Sequence, residues 1–174
     1  MKVNYKMTYK LNAFELSCKK GYKDMVIHMI TTRHIDLKSL QNGVYLASEG
    51  GHADVVEILS GDMDDKIFDI NFTSFEWGSP LYIACQNGHW HVVRILLGWP
   101  NINVNMRCSS TPVPTALDIA SLTGHRDIVQ LLVDAPGIDL EAVDDYGLTA
   151  YNHADSQGHE EIVLTILHAI TYKY

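Results

Sequence analysis

The chain has 174 residues, of which 47% are hydrophobic and 20% charged, a composition typical of one folded domain. Twenty-one acidic residues against thirteen basic ones give a formal net charge of −8, which disfavours binding to nucleic acid. The sequence has no apolar run of the length, about 18 residues, that a membrane span needs, and its N-terminus lacks the apolar core of a signal peptide. We therefore expect an intracellular, cytoplasmic domain with no nucleic-acid or membrane partner, with the nucleus or delivery into a host cell as alternatives.

One sequence pattern occurs five times along the chain. Its copies read CKKGYKDMVIHMI, SEGGHADVVEILS, CQNGHWHVVRILL, SLTGHRDIVQLLV and DSQGHEEIVLTIL. The shared glycines are separated by 30, 37, 36 and 34 residues and are Gly21, Gly51, Gly88, Gly124 and Gly158. Self-similarity at this period is typical of stacked repeats, so five copies of one unit account for most of the chain.

Each copy predicts two helices around its glycine. The first helix carries an inward-facing small residue, which lets neighbouring helices approach closely: Ser17, Ala47, Ala84, Ala120 and Ala154. The glycine ends that helix, because a residue with positive φ is favoured there. The second helix opens with an acidic residue that complements the helix dipole, namely Asp24, Asp54, Asp127 or Glu161, whereas the third copy has His91.

A short link joins successive units. The segments HIDLK, FDIN, INVN and IDLE place Asp36, Asp69, Asn103 and Asp139 at equivalent points, each followed by a β-favouring residue. This pattern predicts an extended segment that leads into a turn. The turn chemistry is clearest at Asp144, Asp145 and Gly147.

Four of the nine histidines recur at one place in the unit: His52, His89, His125 and His159, with Tyr22 there in the first copy. Ligands of one metal must converge on one ion, whereas residues that recur once per repeat are spread along a stack. We therefore predict a packing role and no metal site. The segment HEE at 159–161 lacks the second histidine of a zinc-protease motif, since Val163 stands there. Three cysteines without CxxC spacing predict reduced thiols.

Two helices, a glycine and an extended turn at a period near 33 resemble the ankyrin repeat. The family signature T-P-L-H-x-A is approached by SPLYIA (79–84), TALDIA (115–120) and TAYNHA (149–154), and G-H-x-[DE]-[VI]-V is met at 51–56, 124–129 and 158–163. The first two copies depart from the first signature and read NAFELS and NGVYLA at that place. The resemblance implies an all-α ankyrin repeat solenoid of helix-turn-helix units linked by β-hairpin-like turns. The single domain, 1–174, has repeats at about 8–36, 37–69, 75–103, 111–139 and 145–174.

Ankyrin arrays bind other proteins, so the resemblance implies a non-enzymatic, monomeric adaptor, inhibitor or effector without cofactors. Its partner is expected on the concave face, formed by hairpin tips and first helices. Transferred position by position, that face comprises Phe75, Glu76, Trp77, Gln86, Asn87, Ser110, Thr111, Val113, Leu122, Thr123, Asp145, Tyr146, Leu148 and Gln157. Trp77 and Tyr146 are the expected hot spots, since tryptophan and tyrosine dominate binding energies. Trp90 and Trp99, which flank a second helix, are expected to cover the edges of the core.

The resemblance also predicts which cysteines are buried and which is exposed. Cys18 and Cys85 match a small alanine of the signature and are expected to be buried, whereas Cys108 lies in an extended turn and is the one thiol expected to be reactive. Asn71 and Asn105 match the hairpin asparagine that is hydroxylated in some family members, which is an alternative function. The insertions at 60–71 and 105–118 are either binding loops or neutral drift.

The terminal copies differ from the middle ones. Their second helices reverse the polar–apolar order, as Ile27-His28 and Leu164-Thr165. We interpret this reversal as capping of a complete array. The alternative is a fragment of a larger multidomain protein whose activity lies elsewhere.

Overall fold

The computed structural model describes residues 11–32, 34–61, 68–73, 78–108 and 115–172. Their ten helices are α1 (Ala13–Lys20), α2 (Lys23–Thr32), α3 (Leu37–Gly50), α4 (Ala53–Gly61), α5 (Pro80–Gln86), α6 (Trp90–Leu97), α7 (Ala116–Thr123), α8 (Arg126–Val133), α9 (Ala150–Ser156) and α10 (Glu160–Tyr172). Each odd-numbered helix packs on the next odd-numbered helix, and each even-numbered helix on the next even-numbered one. Five helix pairs therefore stack in one line, as predicted for an all-α solenoid.

The first helix of each pair begins at a polar cap. Asn12, Ser79, Thr115 and Thr149 each accept a hydrogen bond from the backbone amide three residues on, which satisfies one of the free N–H groups of the first turn. The predicted small residues of these helices are all buried. Their short side chains leave room for the helices on either side, so this part of the prediction is confirmed.

The repeated glycines end the first helices with left-handed backbone. All five have φ between 68° and 79°, the region that glycine enters without a Cβ clash. The chain then reverses into the second helix, whose apolar side chains form the core between neighbouring pairs. Val56, Val93 and Val129, at one equivalent position, are fully buried.

The prediction that Asp36 lies in an extended link leading into a turn is wrong. Asp36 is the N-cap of α3, and its carboxylate accepts hydrogen bonds from the Ser39 amide at 2.9 Å and the Ser39 hydroxyl at 2.8 Å. α3 has 14 residues, whereas the other first helices have 7 or 8. The 30-residue spacing between Gly21 and Gly51 leaves too few residues for a hairpin, and no glycine or proline stands between 34 and 42 to turn the chain.

The other three links turn as predicted. The side chains of Asp69, Asn103 and Asp139 each accept a hydrogen bond from the backbone amide two residues on, at 2.9 to 3.1 Å. Short polar side chains favour this local bond because it reproduces the hydrogen bond of a backbone turn.

No helix within the described ranges combines the length and the apolar character that a membrane span requires.

Candidate functional site

Eight residues of the predicted binding face lie in the described part of the chain. Gln86, Asn87, Thr123, Asp145, Tyr146, Leu148 and Gln157 are exposed, and Leu122 is partly buried. The other six lie outside the described residues: Phe75, Glu76, Trp77, Ser110, Thr111 and Val113. The described members fall into two groups, one at the C-terminal ends of first helices and one at the hairpin before α9.

The helix-end group is mostly polar. Asn87 donates a hydrogen bond to the Glu49 carbonyl at 3.1 Å, so this side chain also joins two repeats. Thr123 donates to the Ile119 carbonyl of its own helix at 2.7 Å. Part of the hydrogen-bonding capacity of this group is therefore used inside the molecule.

The hairpin before α9 presents the exposed apolar side chains. The Asp144 amide donates to the Leu148 carbonyl at 2.8 Å, and the Gly147 amide donates to the Asp144 carbonyl at 3.1 Å. Gly147 has φ of 76°, which closes the turn. Tyr146 at the tip is 74% exposed. Leu148 and Val143 are also exposed, so three apolar side chains stand around one short turn.

Sequence reasoning missed Val143 and Arg107 as part of this site. The Arg107 guanidinium donates to the Val143 carbonyl at 2.6 Å and pairs with Asp145 at 3.1 Å. An exposed ion pair contributes little stability by itself, but the two contacts together brace the hairpin from the preceding link. The signal was that Arg107 is the sole basic residue between Arg94 and Arg126, inside an insertion.

A buried carboxylate holds the hairpin from below. Asp144 accepts hydrogen bonds from the Tyr146 amide at 2.7 Å, the Leu148 amide at 2.9 Å and His153 Nε2 at 3.0 Å. Burial raises the pKa of Asp144, but these hydrogen bonds and the neighbouring imidazole together lower it by more than burial raises it. The pKa of Asp144 therefore lies below the usual range. The hydrogen bonds that ionised Asp144 accepts therefore stabilise the fold at neutral pH, and this stabilisation is lost as the pH falls through the lowered pKa.

A second buried carboxylate, Asp118, belongs to the preceding repeat. It accepts hydrogen bonds from the Thr115 hydroxyl at 2.6 Å and the Thr115 amide at 3.2 Å. Burial raises the pKa of Asp118 more than these bonds and the charge of His153 lower it. Two carboxylates near one imidazole thus have pKa values displaced in opposite directions.

Replacing Asp118 by asparagine is expected to stabilise the fold at neutral pH. Asn152, at the equivalent position of the next repeat, accepts the same two bonds from Thr149, so Asp118→Asn retains the cap and removes a buried charge. A raised pKa means that stability falls as the pH rises from the unfolded value, about 3.9, through the folded value. The gain over wild type should therefore be largest at pH 7 and vanish near pH 4 in urea unfolding. The exposed Asp155→Asn serves as control, and a variant that is less stable than wild type at pH 7 would contradict the prediction.

The two hairpin asparagines join successive links. Asn71 donates to the Asn101 carbonyl at 2.8 Å and accepts from the Asn103 amide at 2.7 Å. Asn105 donates to the Gly137 carbonyl at 2.7 Å and accepts from the Asp139 amide at 2.9 Å. Their side chains are thus used structurally. Hydroxylation of either residue stays a prediction without an observation in its favour.

The recurring histidines pack each repeat on the one before it. The Nε2 atoms of His52, His89 and His125 lie 3.0, 2.9 and 3.2 Å from the carbonyl oxygens of Lys19, Glu49 and Gln86, respectively. The structure therefore gives them the packing role predicted from their period. In the described ranges, no three histidine, cysteine or acidic side chains gather as metal ligands would.

The prediction that Cys108 is a reactive thiol is wrong. Cys108 is 1% exposed, and burial raises its pKa despite a hydrogen bond from the backbone at Ser79. Its sulfur packs against Gly78, where an added Cβ would lie 2.8 Å away. Cys18 and Cys85 are buried as predicted, and burial raises the pKa of Cys18 to about 12. None of these thiols has the exposure and lowered pKa of a reactive cysteine.

The two tryptophans at the ends of α6 cover the edges of the core, as predicted. Trp90 and Trp99 are partly buried and pack on the main apolar cluster. The Arg94 guanidinium lies 5.3 Å from the centre of the Trp90 ring, and the rings of Trp99 and Phe68 are 5.5 Å apart. These aromatic contacts are separate from the hairpin tip.

The sequence matches one family model over most of its length. A family model described as ankyrin repeats, three copies, matches residues 14–108, 45–144 and 81–173. A stretch of 106 residues is 30% identical to a probable E3 ubiquitin-protein ligase, XBOS33, from Oryza sativa subsp. japonica. That match covers 58% of this chain and 18% of the relative.

Proposed function

Because the chain belongs to the ankyrin repeat family, we propose that it is a non-enzymatic module that binds another protein through its hairpin tips and first helices. The observation that carries this proposal is the apolar tip of the last hairpin, where Val143, Tyr146 and Leu148 are all exposed. Exposed apolar side chains that cluster around one turn gain little from folding and much from a partner.

The stiffness of this hairpin supports the proposal. Asp144 fixes the turn from inside through two backbone amides, and Arg107 braces it from the preceding link. A loop that is ordered before binding loses less conformational entropy when a partner docks. The tip is therefore a preformed anchor rather than a segment that must fold on contact.

Two further observations support a binding role over catalysis. The three cysteines are buried, and the His153–Asp144 pair is buried beneath the hairpin that it holds. Neither offers a nucleophile or base that a substrate could reach. Whether the module is an adaptor, an inhibitor or an effector follows from the identity of its intracellular partner, which would use the same face in each case.

Replacing Tyr146 by alanine is expected to weaken partner binding by about 2 kcal/mol, roughly 30-fold, if it is a hot spot. The partner is first captured from a lysate with the wild-type chain as bait and identified by mass spectrometry. Calorimetry then compares wild type with Tyr146→Ala, Leu148→Ala and the double variant Trp77→Ala, Tyr146→Ala.

The matched control is Leu164→Ala, which removes another exposed apolar side chain, 65% exposed against 74% for Tyr146, from α10. Circular dichroism establishes that each variant remains folded. Unchanged affinity of the double variant, with the fold intact, would show that the partner uses another face.

A further inference from the structure

Among the residues that the structure describes, the first repeat has an exposed apolar face. Met25 occupies a position of the second helix whose side chain is buried in every later repeat. The equivalent residues there are Val55, Val92, Ile128 and Ile162. Met25 itself is 48% exposed, and Tyr22, at the position of the recurring histidines, is 54% exposed. These side chains face the side where a preceding repeat would lie, and we call them the head face.

Within the described ranges, the fifth repeat has the opposite face exposed. A Cβ added to Gly21, Gly51, Gly88 or Gly124 would meet the imidazole of the following repeat at 2.4 to 2.7 Å. A Cβ added to Gly158 would meet nothing within 4 Å. Leu167 is 42% exposed, whereas Val133, at the same position of the preceding repeat, is 3% exposed. Gly158 and Leu167 define the tail face.

The first 38 residues and the rest of the chain carry net charges of opposite sign. Residues 1–38 contain eight basic and three acidic side chains, a net charge of +5, whereas residues 39–174 contain five and eighteen, a net charge of −13. Exposed Lys23 directly follows Tyr22 of the head face in the chain, whereas Lys19 pairs with Glu49 of the second repeat at 2.9 Å. Exposed Asp155 and Glu160 flank Gly158 of the tail face in the chain, whereas Glu161 pairs with Arg126 of the fourth repeat at 3.2 Å.

The reversed terminal patterns lie outside the contacts between repeats. Ile27 and Leu164 stand where the middle repeats carry exposed polar side chains, and both are exposed. Because this position is exposed in every repeat, it does not belong to the head face or the tail face, and the interpretation of these patterns as caps stays a prediction.

We propose that the head face of one copy of this chain stacks on the tail face of a second copy. Tyr22 would lie against Gly158 as His52 lies against Gly21 within the array. The contact would continue the interface that already joins the five repeats, with opposite charges attracting across it. Since each copy keeps one free face, the product is an open linear oligomer. This proposal goes beyond partner binding at the hairpins and replaces the monomer expected from the sequence.

Sedimentation velocity of the full chain tests this association. The weight-average mass should rise above 19.5 kDa with protein concentration at low salt, and it should fall again at high salt because the attraction is screened. Met25→Glu places an acidic residue on the head face, and Leu167→Lys places a basic one on the tail face. Each variant should stay monomeric alone, since like charges then meet across the contact.

Mixing the two variants gives the decisive result. The intact tail of Met25→Glu meets the intact head of Leu167→Lys, and the glutamate and lysine introduced on the other two faces carry opposite charges. The mixture should therefore associate to at least about twice the mass of either variant, although neither variant associates alone. Leu164→Lys is the matched control, because its position is exposed in every repeat, and it should associate like wild type.

Three results would overturn the proposal. Wild type that stays monomeric at every concentration would show that the head face and the tail face do not bind each other. Association that only one of the two variants abolishes would mean a symmetric contact through one face. A mixture that stays monomeric would also exclude head-to-tail stacking. Tyr146→Ala should leave the association unchanged, which separates it from partner binding.

Discussion

Leu96→Ala is expected to lower the free energy of unfolding by about 2–5 kcal/mol. Leu96 is fully buried in α6, and α6 packs on α4 on one side and on α8 on the other. Removing three carbon atoms there leaves a cavity enclosed by two neighbouring repeats, neither of which can move inwards without losing its own contacts. Because the surrounding side chains relax only partly, the cavity remains and the loss of stability is large for such a substitution.

Urea unfolding followed by circular dichroism measures this loss. Leu164→Ala is the control, because it makes the same chemical change at a position of α10 that is 65% exposed, where the expected effect is within about 0.5 kcal/mol. Equal losses for the two variants would mean that α6 does not lie at the centre of the stack. A fall in the slope of the transition would show, in addition, that the array has split into two cooperative units.

The stack could be predicted because its determinants are local and repeat. A glycine with positive φ, a small residue one turn earlier and an apolar second helix each act within one unit, so five copies report the same geometry five times. The position of Tyr146 at an exposed tip could be predicted for the same reason. The aspartates and the glycine around it specify a tight turn without help from distant residues.

The errors concern residues whose role depends on chain length or on distant contacts. Asp36 resembles the aspartate of the later links, but an aspartate serves a turn and a helix cap equally well. Because only 30 residues separate Gly21 from Gly51, too few for a hairpin, Asp36 caps a helix instead. Cys108 is buried against Gly78, thirty residues earlier, and Arg107 reaches a hairpin more than thirty residues later. Neither contact has a signature in the local sequence.

Gly51→Ala is expected to cost more than Gly158→Ala, although both glycines have nearly the same backbone. Their φ angles are 74° and 73°, and a side chain at such an angle costs about 1–2 kcal/mol. At Gly51 the new methyl group would also lie 2.6 Å from the ring of His89. The ring must then move from the Glu49 carbonyl, to which His89 Nε2 donates at 2.9 Å, with a further loss of about 1–2 kcal/mol.

The difference between the two variants therefore isolates what one histidine contributes to the contact between repeats. Both are compared with wild type by urea unfolding, at a protein concentration where wild type is monomeric. Adding His89→Ala to each variant completes a double-mutant cycle. Once the imidazole is absent, Gly51→Ala and Gly158→Ala should have equal costs, since only the backbone strain remains. A difference that survives the loss of His89 would mean that another neighbour of Gly51, rather than the recurring imidazole, requires glycine there.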